Sequence, residues 1–275
     1  MAKKRSSRRR LKVYIMTDLE GASGLLSARD NGQIGTEGSE SYQRYRRFLT
    51  QDVNAAVAGA ADAGAGTIVV NDAHGTIDHN IFPGELDPRA ELERPAPGNW
   101  APALDAGFDA LFMVGAHAMA GTRKGFLDHT QSSLHIFRWW LNGIEVGEIG
   151  QIAAIAGNYR VPLAFVTGDL AATKEARKLV GPIETVAVKE GLSRNYARGL
   201  HPAVAQARIR QGAARALAKV GQIKAFVLRR PITMRVTYTR SDFAEEAAAR
   251  RGRTARLIDA RTVERKLKDI TDMFG

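Results

Sequence analysis

No cysteine occurs among the 275 residues, which excludes disulfides, thiolate metal ligands and a thiol nucleophile. Nor is there an apolar stretch approaching the roughly 20 residues that span a bilayer, so no transmembrane helix is expected. The start, Met1 to Arg10, is rich in Lys, Arg and Ser but lacks the apolar segment of a secretory signal, and a cytoplasmic protein is expected. Aromatic residues are few, at 7% of the chain, and none interleave with the basic group Arg250, Arg251, Arg253 and Arg256. That group therefore reads as solvated surface rather than as a base-stacking platform.

Charge of one sign is in excess. The formal balance is +11, with Lys3, Lys4, Arg5, Arg8, Arg9 and Arg10 all in the first ten residues. A disordered, solvated tail over residues 1–10 accounts for much of this excess. Nucleic-acid binding through that tail is the less favoured reading.

What is present is a set of acids and histidines at the ends of apolar runs. Leu11-Lys12-Val13-Tyr14-Ile15 leads into Met16-Thr17-Asp18-Leu19-Glu20. In extended backbone, Asp18 and Glu20 project to one side, and a bound cation is the simplest relief of their repulsion. An acidic turn capping the next helix is the structural alternative. Thr67-Ile68-Val69-Val70 leads into Asn71-Asp72-Ala73-His74, and Ala110 to Gly115 leads into Ala116-His117. The ends of parallel strands in an open α/β sheet converge on one crevice, so Asp18, Glu20, His74 and His117 can be neighbours there. Carboxylates with imidazoles suit zinc, with manganese and cobalt as competitors. A lone histidine after a strand is more often a hydrogen-bonded loop residue.

The order of elements supports such a sheet. Apolar residues recur with helical spacing from Ser39 to Ala63, and Gly64 ends the pattern before the second strand, giving a β-α-β unit. Leu163 to Thr167 reads as another strand, followed by Gly168-Asp169 and a helix over 171–180. Asp169 is expected to cap that helix or to support the site from behind. Asn142-Gly143 between β-prone runs predicts a tight hairpin, in which Trp139 and Trp140 are packing residues. Glu148, between Gly147 and Gly150, is either an exposed acid or one turned toward the crevice.

The segments Thr17–Gly21, Val70–His74, Gly115–Ala118, Asp128-His129 and Val146–Gly150 resemble, in order and approximate spacing, the motif set of the D-aminopeptidase DppA family, the M55 metallopeptidases. The similarity runs from about Leu11 to near Arg261. It implies a dinuclear zinc centre with two Zn2+ per subunit: Asp18 bridges, Glu20 and His74 complete one metal, and His117 and Glu148 complete the other. It implies His129 as the catalytic histidine and, by family analogy, Lys189, Ser193, Arg194 and Asn195 along the substrate cleft. It also implies a two-domain subunit and a ring-like homodecamer.

The expected architecture is thus α/β: a mostly parallel sheet flanked by helices over 11–190, including the hairpin near 134–148, with a smaller α/β second domain over 191–275. The expected activity is a zinc aminopeptidase acting on short peptides, including those with an N-terminal D-residue. The alternatives are another dinuclear metal amidohydrolase, a non-catalytic anion- or nucleic-acid-binding protein using the basic tail, and a homo-oligomer that keeps metals only for folding.

Overall fold

The computed structural model describes residues 9–28, 39–74 and 79–274; Met1 to Arg8, most of the basic tail, lie outside them. In chain order the first elements are β1 (Leu11–Thr17), α1 (Glu40–Asp62), β2 (Ala65–Asn71), β3 (Ala90–Glu93), β4 (Ala110–Ala116), β5 (Ile136–Leu141), β6 (Ile144–Glu145) and α2 (Glu148–Asn158). There follow β7 (Leu163–Asp169), α3 (Leu170–Val180), β8 (Glu184–Ser193), β9 (Tyr196–Gly199), α4 (Pro202–Ala218), β10 (Ile232–Tyr238), α5 (Ser241–Arg251), β11 (Ala255–Leu257) and β12 (Thr262–Leu267).

A seven-stranded sheet has the order β3-β2-β1-β4-β7-β8-β9, parallel throughout except for β9. The central strands β1, β4 and β7 are nearly continuous apolar runs, as a sheet covered on both faces requires. Alternate residues of β1 serve opposite faces. Val13 and Ile15 pack with Leu49 and Val53 of α1 and Ile209 of α4. Tyr14 and Met16 pack with Ile149 and Ile152 of α2. Ser39 starts α1 by accepting the Tyr42 N–H at 3.3 Å, and Gly64, at a φ of 94°, turns the chain into β2.

The second sheet, β11-β12-β10-β5-β6, is antiparallel. Its strand β10 alternates buried Ile232, Met234 and Val236 with the exposed Arg235, so one face is covered. Helix α2 contacts both sheets: its Ile149, Ile152 and Ile155 share a core with Met113 of the first sheet and with Leu141 and Met234 of the second. A helix apolar all round can be stable only when buried in this way.

The sheets do not divide at residue 190. β9 and α4, which follow it, complete the seven-stranded sheet and the helical layer over it. The expected hairpin forms, with Asn142 and Gly143 both at positive φ, but its β5 pairs with β10 in the second sheet. The reason is burial. Trp139 and Leu141 give the hairpin one apolar face, which β10 extends, while the Ala205, Ile209 and Ala213 stripe of α4 fits beside α1.

From β1 the first sheet grows one way through β2 and β3 and the other way through β4, β7 and β8. The carboxyl ends of β1 and β4 therefore flank the switch point, where a crevice opens in such sheets.

Candidate metal centre

The chain leaving β1 is tied tightly to β4 at this point. The Asp18 N–H donates to the Val114 carbonyl at 2.9 Å and the Gly21 N–H to the Gly115 carbonyl at 2.7 Å. Gly115 has a φ of 82°, and a Cβ there would lie 1.9 Å from the Asp18 carbonyl oxygen, so only glycine allows the approach. Asp18 directly follows β1, whereas Glu20 stands in a turn closed by Ala22 N–H to the Leu19 carbonyl at 3.0 Å, and this turn brings the two acids together in place of strand alternation.

His74, after β2, completes the first group. Its Nδ1 lies 3.1 Å from Asp18 Oδ1 and 3.1 Å from Glu20 Oε2. Behind it, Asn80 donates through Nδ2 to the His74 carbonyl at 2.8 Å, and the buried Asp72 accepts the N–H groups of Asn80 and Ile81. The second group forms across Asp18. His117 Nε2, after β4, lies 3.3 Å from Asp18 Oδ2 and 3.4 Å from Glu148 Oε1. Glu148 opens α2, where the helix dipole favours an acid, and accepts the Gln131 N–H at 2.7 Å. His129 stacks on His117, with ring centroids 4.0 Å apart, and its Nε2 lies 3.7 Å from Glu148 Oε1.

Two triads of potential ligand atoms result, Asp18-Glu20-His74 and His117-His129-Glu148, each within 4.8 Å. Both lone-pair directions are set by the backbone. His117 Nδ1–H donates to the Ala118 carbonyl at 2.9 Å and His129 Nδ1–H to the Leu127 carbonyl at 2.8 Å, which leaves each Nε2 facing the centre. Asp18 Oδ2, Glu20 Oε2 and His117 Nε2 are buried without a hydrogen-bond partner. Polar atoms orphaned together in one spot, of mixed carboxylate and imidazole type, fit a borderline-soft cation such as zinc.

The electrostatics point the same way. Burial, then repulsion from Glu20, pushes the Asp18 carboxyl up to about 7. Burial also opposes ionisation of Glu20, yet His74 and then His129 and His117 hold it well below the usual carboxylate range. His74 and His117 are raised well above the ordinary imidazole value, since Glu20 and Asp18, and Asp18 and Glu148 respectively, outweigh their burial. Protons on these two rings occupy the role that a divalent cation would take over on binding. His129 is different: burial and the neighbouring His117 lower it, so it is neutral near pH 7.

Three further acids and a lysine support the centre. Lys189 is buried, and its Nζ donates to the backbone carbonyls of Glu20 at 2.7 Å and Leu25 at 2.6 Å, with the Phe126 ring 4.7 Å away. Burial lowers its pKa to about 7. Asp52 of α1 accepts the N–H and Oγ of Ser23, each at 2.7 Å, and Asp169 accepts the N–H groups of Phe126 and Gly191. Asp169 thus occupies the N-cap position of α3 while its carboxylate braces loops behind the centre. Glu175 accepts the Met119 N–H at 2.7 Å and holds the loop that follows His117; burial raises its pKa to about 7. Asp52, Glu175 and the Gln131 backbone carry no sequence motif. For Asp52 and Glu175 the one signal is an acid at a position that a helix buries; for Gln131 there is none.

Lys189 thus reaches backbone rather than an open cleft. Ser193 is exposed, at the turn between β8 and β9. The next residue, Arg194, accepts the Leu127 N–H on its carbonyl at 2.7 Å and places Nε 3.5 Å from Asp128, so this turn grips the loop that carries His129. The Asn195 carbonyl accepts the Ala28 N–H at 2.9 Å.

The sequence profile of the D-aminopeptidase family, peptidase family M55, matches residues 11–275. The chain belongs to the M55 D-aminopeptidase family. A D-aminopeptidase of Bacillus subtilis (strain 168) is 32% identical over 216 residues, covering 78% of this chain and 76% of that protein. Among solved structures, the Zn-dependent D-aminopeptidase DppA from Bacillus subtilis, described as a self-compartmentalizing protease, superposes with a TM-score of 0.87 at 28% identity. That match covers 96% of this chain and 94% of the other. This M55 member carries Asp18, Glu20, His74, His117, His129 and Glu148 at one crevice.

Two arginines of the C-terminal basic cluster are engaged in surface pairs. Arg250 pairs with Glu246, and Arg256 pairs with Glu264 at 2.9 Å. No helix among the described residues is long and apolar enough to cross a membrane.

Proposed function

We propose that this protein is a zinc-dependent aminopeptidase that removes the N-terminal residue of short peptides, with a D-residue preferred, and that it holds two zinc ions per subunit. The observation that carries the reading is the pair of triads meeting at Asp18, whose Oδ1 faces His74 while its Oδ2 faces His117. Glu20 and His74 would hold one ion, His117 and Glu148 the other, and Asp18 both; the zinc itself is supported by the Zn-dependent structural relative.

When bound, zinc supplies Lewis acidity, which polarises a carbonyl and lowers the pKa of water from 15.7 to about 7. The chain supplies the rest. His129, neutral and fixed in one tautomer by the Leu127 carbonyl, presents its Nε2 as a proton acceptor during attack and as the donor to the departing amine. Glu20 and Glu148, on either side of His129 Nε2 at 3.9 and 3.7 Å, give the substrate's N-terminal amine anionic partners. The stacked His117 ring keeps the His129 imidazole from rotating away. Lys189, Ser193, Arg194 and Asn195 then act by shaping the cleft through the loops they hold. A homo-oligomer, in the ring-like decameric form and placed in the cytoplasm, completes the reading; the self-compartmentalizing relative supports assembly.

The deciding experiment is hydrolysis of D-alanine and L-alanine amides and dipeptides by zinc-reconstituted protein, with chelated protein and Asp18→Asn in parallel and metal counted per chain. Metal-dependent release with close to two zinc ions per subunit is expected. Two ions without turnover would indicate a non-peptide amide or a structural centre, and no bound metal would overturn the assignment.

A further inference from the structure

A cavity of about 740 Å3 lies alongside the metal-ligand cluster, and none of the six cluster residues lines it. It is open to solvent on one side and bounded by the loop after His117, the strand end before Glu148, one face of α3, Glu190 and Gly191 of β8, and Phe226. That volume accommodates a ligand of a few amino-acid residues. Its floor is apolar, formed by Met119, Val146, Leu179 and Phe226.

Its rim is cationic. Arg123, Lys124, Lys174 and Lys178 line it and are exposed, with Lys174 and Lys178 one turn apart on α3. Among the described residues, no hydrogen bond or ion pair engages any of these four side chains. The acids of the cavity, by contrast, are engaged. Glu145 faces Arg138 at 3.4 Å, Glu190 is bonded by Arg198 at 2.9 Å, and Glu175 accepts the Met119 N–H on Oε2, its Oε1 being buried without a partner. The amino end of α3, at Leu170 and Ala171, adds its partial positive charge to the same wall. An apolar body ending in an anion is the chemical complement of this arrangement.

We propose that the cavity is a second binding site, for a short apolar peptide presenting a free C-terminal carboxylate. The proposal rests on the aminopeptidase reading for its choice of peptides among amphipathic anions. The carboxylate has two sources: the far end of the substrate whose amine is at the metal centre, or a separate peptide such as a released product. Either would act on catalysis through the wall they share, since Met119 stands two residues after His117 and the same loop continues to His129.

The test uses N-acetyl-leucyl-leucine, whose blocked amine prevents it from being a substrate, as the free acid and as the C-terminal amide. Both are titrated by calorimetry into the full chain, zinc-loaded and metal-free, and into the double variant Lys174→Glu, Lys178→Glu. The acid is expected to bind with or without metal. The amide, and the acid with the double variant, should bind about tenfold or more weakly, the scale of one lost charge-assisted hydrogen bond. Equal binding of acid and amide, unchanged binding in the double variant, or no binding of the acid overturns the proposal. Both lysines are exposed, so an unchanged melting temperature is expected to accompany the loss.

Kinetics separate the two sources. If the substrate's far end occupies the cavity, the double variant raises KM for a D-alanyl tetrapeptide acid but not for D-alanine amide, and N-acetyl-leucyl-leucine competes with the tetrapeptide. If a separate peptide occupies it, the acid changes the turnover of both substrates without competing. Failure of the zinc-loaded protein to cleave either substrate would count against the aminopeptidase reading alone, because the titration decides the cavity independently.

Discussion

The two sheets of this protein are put to different uses. The seven-stranded, mostly parallel sheet is covered on both faces, and its strand ends, where side chains can leave the core, carry Asp18, His74 and His117. The five-stranded antiparallel sheet covers one face with α2 and spends its other face on surface pairs such as Arg235 with Glu264 at 2.7 Å. It delivers one residue to the centre, indirectly: the β5–β6 hairpin returns the chain so that α2 starts at Glu148. Chemistry thus concentrates where parallel strands end at a switch in direction, while an antiparallel sheet, whose strand ends alternate between two edges, provides scaffold.

Substitutions can break this contrast. The largest effect is expected at the crevice: Asp18→Asn removes the carboxylate that belongs to one triad and faces His117 of the other, and it should abolish metal-dependent hydrolysis with loss of bound zinc, read by turnover and metal content. His129→Ala should retain metal yet lose about 10²- to 10⁴-fold in kcat, the range for a positioned acid and base. In the wild-type protein, the acid limb of kcat/KM should fall below 6.5, because burial and His117 lower the His129 pKa and protonation removes the acceptor only at more acidic pH. A limb above 6.5 would assign it to another group.

Behind the crevice, Lys189→Met leaves the Glu20 and Leu25 carbonyls without their donor. Zinc affinity, measured against a chelating dye, should drop about 10- to 100-fold, as for other groups that orient metal ligands. An unchanged affinity would show that the Glu20 turn holds itself. On the second sheet, Arg235→Ala removes a half-exposed partner of Glu264. It should cost less than about 1 kcal/mol in denaturant unfolding and leave turnover untouched. A change in kcat there would break the division between catalytic and scaffold sheets.

Much of this was legible from residue order. The helix over 40–62, the strands leading to Asp18, His74 and His117, and the Asn142-Gly143 hairpin all follow from apolar periodicity, a serine cap and paired positive-φ residues, which are local properties. Other features were hidden. The pairing of Asp18 with Glu20 depends on a turn held by Gly115 and Gly21 rather than on strand alternation, and the hairpin's partner strand lies some ninety residues further on. Family resemblance alone places Lys189 along the cleft; its burial under Phe126 is visible only in three dimensions.

By itself, then, the sequence determined which residues could take part and at which strand ends they stand, because hydrophobic periodicity and turn chemistry act over a few residues. The tertiary structure alone decided which of them meet: the β1–β4 switch that sets Asp18 between His74 and His117, the stacking of His129 on His117, and the buried Lys189 beneath the Glu20 turn. Those contacts join segments far apart along the chain. Long-range burial, which no local pattern encodes, fixes them in place.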